Sequence, residues 1–86
     1  MEPGRGQAAA TIFDLLEARD EGKTICPSDA ARRLAGDADF RALMPLIRET
    51  ARELVAEGRV EVTQSGEVID LDRVRGPIRL RLPKPG

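Results

Sequence analysis

Apolar residues recur along this chain in two rhythms, and the change from one to the other falls at Gly58. Before it, Phe40, Leu43, Met44, Ile47, Ala51, Leu54 and Val55 recur at three- and four-residue spacing, which lines them along one side of a helix. Arg41, Arg48, Glu49, Arg52, Glu53 and Glu57 fall mostly on the other side. After Gly58, Val60 and Val62 alternate with Arg59, Glu61 and Thr63, the period of a half-buried strand. Upstream, Ala8, Ile12, Leu15 and Leu16 form one stripe with Phe13 at its edge. They predict a first helix over residues 7–19, stopped by Asp20, Glu21 and Gly22, with Gly22 suited to the left-handed position after it.

Lys23-Thr24-Ile25-Cys26 is short and partly β-branched, and predicts a strand of a single bridge. Pro27 suits the first position of a helix, where its missing N–H costs nothing. Ser28 and Asp29 place acceptors in that helix's first turn, Ala30, Ala31 and Leu34 supply its inner face, and Gly36 ends it. Asp37-Ala38-Asp39 is a turn in which either aspartate can cap the third helix. Pro45 conflicts with that helix, because an interior proline removes a backbone bond and clashes one turn back, at about 3 kcal/mol. Either residues 39–43 form a separate turn with Pro45 opening the helix, or one helix runs over 39–57 with a kink near 41–44. The unbroken apolar spacing favours the kinked helix.

Ser65-Gly66 predicts a tight turn. A two-residue loop there sets Val62 opposite Ile69 and Val60 opposite Leu71, but also Glu61 against Asp70, a like-charge pair. Ile78, Leu80 and Leu82 alternate with Arg79 and Arg81, so pairing that run with 59–64 gives Glu61 an arginine instead. The expectation is a middle strand over 59–64 flanked by 78–82, with 67–71 as a looser partner or part of a wing loop. Three helices feeding a hairpin is the order of a winged helix-turn-helix domain, mostly α with a small antiparallel sheet. Residues 1–6 are read as a flexible arm, 7–82 as the domain, and 83–86 as a tail. The runner-up is a generic α+β domain whose hairpin packs on the first helix.

At residues 41–82 the text becomes specific. R-A-L-M-P, I-R, A-R-E-L, G-R-V-E-V-T-Q and above all R-G-P-I-R-L-R-L resemble a small bacterial winged-helix family, domain of unknown function 3253. The resemblance implies a winged-helix fold and no assigned activity. Phe40 stands where that family is expected to carry tryptophan. The change keeps a large ring and drops the indole N–H.

Composition alters this picture in one respect. The 86 residues carry a formal net charge of −1, which speaks against a strong nucleic-acid binder. The charge is uneven, however: residues 1–69 hold 9 basic and 13 acidic groups, and residues 70–86 hold 5 basic and 2 acidic. In the basic segment, Arg73, Arg75, Arg79, Arg81 and Lys84 fit phosphate contact by a wing. They fit better a solvated face whose arginines pair with Glu61, Asp70 and Asp72, the usual state of a charge run. On the third helix, Arg41, Arg48 and Arg52 are candidates to reach duplex DNA. Glu49, Glu53 and Glu57, read as sharing that face, would repel it. Arg32 and Arg33 suit backbone contact or plain surface.

Catalysis has little to build on. The chain has no histidine and one cysteine, so a zinc site, a disulfide and a Ser-His-Asp set are all unexpected, and Cys26 reads as a small buried hydrophobe. No glycine-rich phosphate loop appears. With Phe13 and Phe40 assigned to the core, no aromatic platform is left for stacking single strands. No secretory or membrane-spanning run is visible, which makes the cytoplasm the expected compartment. The reading is a non-enzymatic winged-helix module without cofactor or metal, associated with duplex DNA through helix three and the basic C-terminal wing. The alternative is a protein-interaction or dimerisation module that binds no nucleic acid.

Overall fold

A computed structural model of the chain describes residues 3–20 and 22–83. Its elements run α1 (Arg5–Glu17), α2 (Pro27–Ala35), a 3-10 turn (Phe40–Leu43), α3 (Met44–Ala56), β1 (Glu61–Gln64), β2 (Glu67–Val68) and β3 (Arg79–Arg81). The strands form one antiparallel sheet in the order β2-β1-β3. Three helices and a three-stranded sheet give the winged-helix-like layout that the change of rhythm predicts.

Each helix is set by local chemistry. α1 buries Ala8, Ile12 and Leu16 one turn apart. It starts at Arg5, so Arg5 and Gly6 belong to the helix and not to an arm, and the Gln7 Oε1 accepts from the Gly4 N–H at 3.0 Å. It also ends earlier than its stripe suggests, and Gly22, although at φ 82°, lies beyond its cap. α2 opens on Pro27, with the Asp29 carboxylate accepting from the Cys26 N–H at 2.9 Å. It closes on Gly36 at φ 60°.

Pro45 settles differently from the favoured expectation. There is no kinked helix over 39–57. Residues Phe40–Leu43 make a separate 3-10 turn, its first free N–H capped by Asp39 (Arg41 N to Oδ1, 3.0 Å), and Pro45 sits in the opening turn of α3. There the proline displaces no hydrogen bond. α3 then buries Ile47, Thr50, Ala51 and Leu54. Thr50 is the polar member of that stripe, and its hydroxyl donates to the Leu46 carbonyl at 2.8 Å.

The end of α3 is fixed by two bonds. The Gly58 N–H donates to the Val55 carbonyl and the Arg59 N–H to the Leu54 carbonyl, both at 2.9 Å. Gly58 is left-handed at φ 73°. This pair of bonds closes the orphan carbonyls of a helix and turns the chain out of it. Val60 and Val62 then enter the core at once.

In the sheet, Glu61 faces Arg81, Val62 faces Leu80 and Thr63 faces Arg79, so the charge-matched pairing holds. Ser65 (φ 55°) and Gly66 (φ 84°) form the two-residue turn, with Gln64 opposite Glu67. β2 is only two residues long. Beyond it, the Ile69 N–H still donates to the Val62 carbonyl at 2.9 Å, after which the chain leaves the sheet, and Glu61 never meets Asp70. Ile25 forms the expected single bridge, exchanging both backbone bonds with Leu80 at 2.8 and 2.9 Å. The core gathers Ile12, Leu16, Ile25, Ala30, Ala31, Ile47, Leu54, Val60, Val62, Ile78 and Leu80 from every element except β2 and the 3-10 turn. Among the described residues no helix is long and apolar enough to cross a membrane.

Candidate nucleic-acid interface

The basic side chains singled out by the sequence lie on four parts of the fold: α2, the 3-10 turn, α3 and the wing. Arg41 projects from the 3-10 turn. Its guanidinium is 3.6 Å from Asp39 Oδ1 and its central carbon lies 5.0 Å from the centroid of the Phe40 ring. Arg48 is exposed on α3, and among the described residues no carboxylate comes within ion-pairing distance of it. Arg52, one turn further, is committed: it meets Asp72 and Glu49, each at 2.7 Å. The bond and charge of Asp72, then the charge of Glu49, raise its pKa above the ordinary arginine value.

The wing arginines are mostly occupied within the protein. Arg81 donates to Glu61 at 2.8 Å across the β1–β3 pair, with both side chains largely covered. Arg79 donates to the Thr24 hydroxyl at 2.6 Å and to the Thr24 carbonyl at 3.3 Å. Arg73 lies 3.7 Å from Asp70. Arg75 is exposed, and its side chain makes no ion pair among the described residues, while its carbonyl accepts from Gln64 Nε2 at 2.7 Å. Lys84 lies outside the described residues. Arg73 and Arg81 thus behave as the solvated-face reading expects, whereas Asp72 goes to α3 instead of the wing.

The glutamates of α3 need a correction. At about 100° per residue, Glu53 lies about 140° round the helix from Arg48 and Glu57 about 180° round. They do not share the arginine flank. Both turn to α1, where Arg5 Nε meets Glu53 and Arg5 Nη2 meets Glu57 Oε2 at 2.9 Å. Arg59 also approaches Glu57, at 3.4 Å. Only Glu49 stays beside the arginines, tied to Arg52.

The two aromatic residues are likewise not sealed in the core. Phe13 and Phe40 are half-buried, and each carries an arginine on its exposed face: Arg59 at 4.6 Å from the Phe13 centroid and Arg32 at 4.2 Å from that of Phe40. The sequence places Arg41 beside Phe40 as its neighbour. It carries no signal for Arg32, which reaches the ring from α2. Cys26 is half-buried too, accepting a hydrogen bond from the Ser28 hydroxyl at 3.1 Å.

Chemically, this arrangement offers guanidinium donors on the outer flank of α3 and at the end of α2. Among the described residues no cluster of three or more His, Cys, Asp or Glu side chains could hold a metal ion. No curated protein matches the sequence. The family model described as a protein of unknown function (DUF3253) matches residues 5–83, and with the fold just described the chain belongs to that family.

Proposed function

We propose that this chain is a non-enzymatic winged-helix module that associates with duplex DNA, mainly through phosphates. Arg41 and Arg48 on the helix-three side and Arg75 on the wing are the contacts. The observation that carries this reading is the diversion of Glu53 and Glu57 to Arg5. It removes from the outer flank of α3 two of the three carboxylates that would repel a phosphate backbone. Arg52, Arg79 and Arg81 have close protein partners and serve the fold first, whereas Arg73, like Arg41, makes only a long approach to a carboxylate. The rival module, built for self-association or a protein partner, has less support. Val68, at 55% exposure, is the one large hydrophobic residue exposed among those described.

A titration of random duplex with the full chain tests the proposal. Three phosphate contacts give a slope of about −2.7 in log K against log salt, so affinity falls about 40-fold between about 50 and 200 mM salt. Arg48→Gln should reduce that slope by about 0.9 without altering the fold. No binding at about 50 mM salt refutes the reading.

A further inference from the structure

We infer that Arg32, Phe40 and Arg41 form a binding site for a phosphate oxyanion. Two guanidiniums address one ring, with central carbons 4.2 Å and 5.0 Å from its centroid. Laid end to end, those distances set an upper limit of about 9 Å on the separation of the two carbons, and the site requires both forks to reach one tetrahedral oxyanion from the same side of the ring. Two like charges held this close repel each other, and an anion between them removes that repulsion.

Each guanidinium carbon lies over the Phe40 ring. Stacking leaves the in-plane N–H forks free to donate. Among the described residues Arg32 makes no ion pair and no hydrogen bond through its side chain. Arg41 has only the long approach to Asp39, and its side chain is 77% exposed. The Asp39 oxygen concerned already caps the Arg41 N–H at 3.0 Å. Phe40 is itself half-buried against the core, so the platform does not have to be ordered on binding, which lowers the entropic cost of fixing both arginines.

Arg32 also borders an open cleft of about 440 Å³ that Leu15, Ala18, Arg19, Ile25 and Asp29 complete, which neither Phe40 nor Arg41 lines. Asp29 is the one carboxylate in that lining, and one of its oxygens is held by the Cys26 N–H. Arg19 adds a further positive charge. The chemistry selected is therefore an exposed, doubly hydrogen-bonded phosphate, free or as one link of a nucleic-acid strand. The second source rests on the proposed function, the first does not.

Inorganic phosphate is the first probe, titrated into the full chain against chloride at matched ionic strength and monitored through the arginine Nε–Hε resonances. The signals of Arg32 and Arg41 should move together with one dissociation constant, and more than those of Arg33 and Arg48. Phe40→Leu should weaken that constant about threefold by freeing both arginines. Arg41→Gln, at an exposed position that leaves the fold alone, should suppress the response of Arg32, and Arg48→Gln should leave it unchanged. If Arg32 and Arg41 respond no more than Arg33, or if Arg41→Gln leaves the Arg32 response intact, the site is refuted. Random duplex at about 50 mM salt is the second probe. Phosphate bound at the pair without duplex binding keeps the site and removes the proposed function. Duplex bound equally by wild type and Arg32→Gln, but more weakly by Arg41→Gln, removes the strand as occupant of the pair and keeps the function.

Discussion

Leu54→Ala tests the junction on which the architecture turns. Leu54 is 1% exposed, faces the core from the last full turn of α3, and its carbonyl accepts the Arg59 N–H that ends the helix. The substitution removes three carbons, worth about 2.4 kcal/mol at about 0.8 kcal/mol per buried methylene. The partly collapsed cavity adds more, for a total of about 2.5–4.5 kcal/mol. A domain of this size is stable by about 4–13 kcal/mol, so the variant forfeits a large share of its stability. Its midpoint should fall by about 10 °C or more. Urea unfolding monitored by circular dichroism measures this directly, and an unchanged m-value shows that the native state keeps its extent. Arg48→Ala, on the exposed flank of the same helix, is the control and should cost under about 0.5 kcal/mol. A loss below about 1 kcal/mol for Leu54→Ala would mean that α3 does not face the core through this residue, and the derived packing would be wrong.

Three further outcomes rest on particular positions. Pro45→Ala should change stability by less than about 1 kcal/mol, because the proline opens α3 and breaks no bond. A gain near 3 kcal/mol in thermal unfolding would instead reveal an interior kink. Gly66→Ala should cost about 1–2 kcal/mol from its left-handed backbone alone, since an added Cβ meets nothing within 4 Å; an unchanged melting midpoint would contradict the turn. Glu61→Gln should cost about 1 kcal/mol by leaving Arg81, only 20% exposed, without its carboxylate. That loss should shrink in about 1 M salt, and a salt-independent loss would assign Glu61 a packing role instead.

Most of the fold is legible in the sequence because its signals are local. Gly58 marks the end of α3, the alternation at Val60 and Val62 marks β1, and the charge conflict between Glu61 and Asp70 is enough to choose the 78–82 run, with Arg79 or Arg81, as the cross-strand partner. The Ser65-Gly66 turn carries its own backbone requirement. The hidden part depends on partners distant in sequence. Glu53 and Glu57 read as outer-face acids because nothing near them announces Arg5, 48 residues before Glu53. Thr50 is polar by composition, and only its bond to the Leu46 carbonyl makes its burial tolerable. Pro45 misleads because apolar spacing does not distinguish a 3-10 turn leading into a helix from one bent helix. For the candidate interface, the arginines are identifiable by type. Their division into occupied and free ones is not, since it is decided by Asp72, Thr24 and the Phe40 ring.

The single bridge at Ile25 has a consequence for how this protein behaves among copies of itself. Leu80 gives both its backbone groups to Ile25, while Arg79 and Arg81 on either side of it turn theirs toward β1. β3 therefore presents no open rail to a neighbouring chain. At the opposite margin, β2 is two residues long and begins with a charged glutamate. A sheet closed in this way gives a partially unfolded molecule little template for fibre growth, so concentrated solutions should stay clear near neutral pH even though the net charge is close to zero.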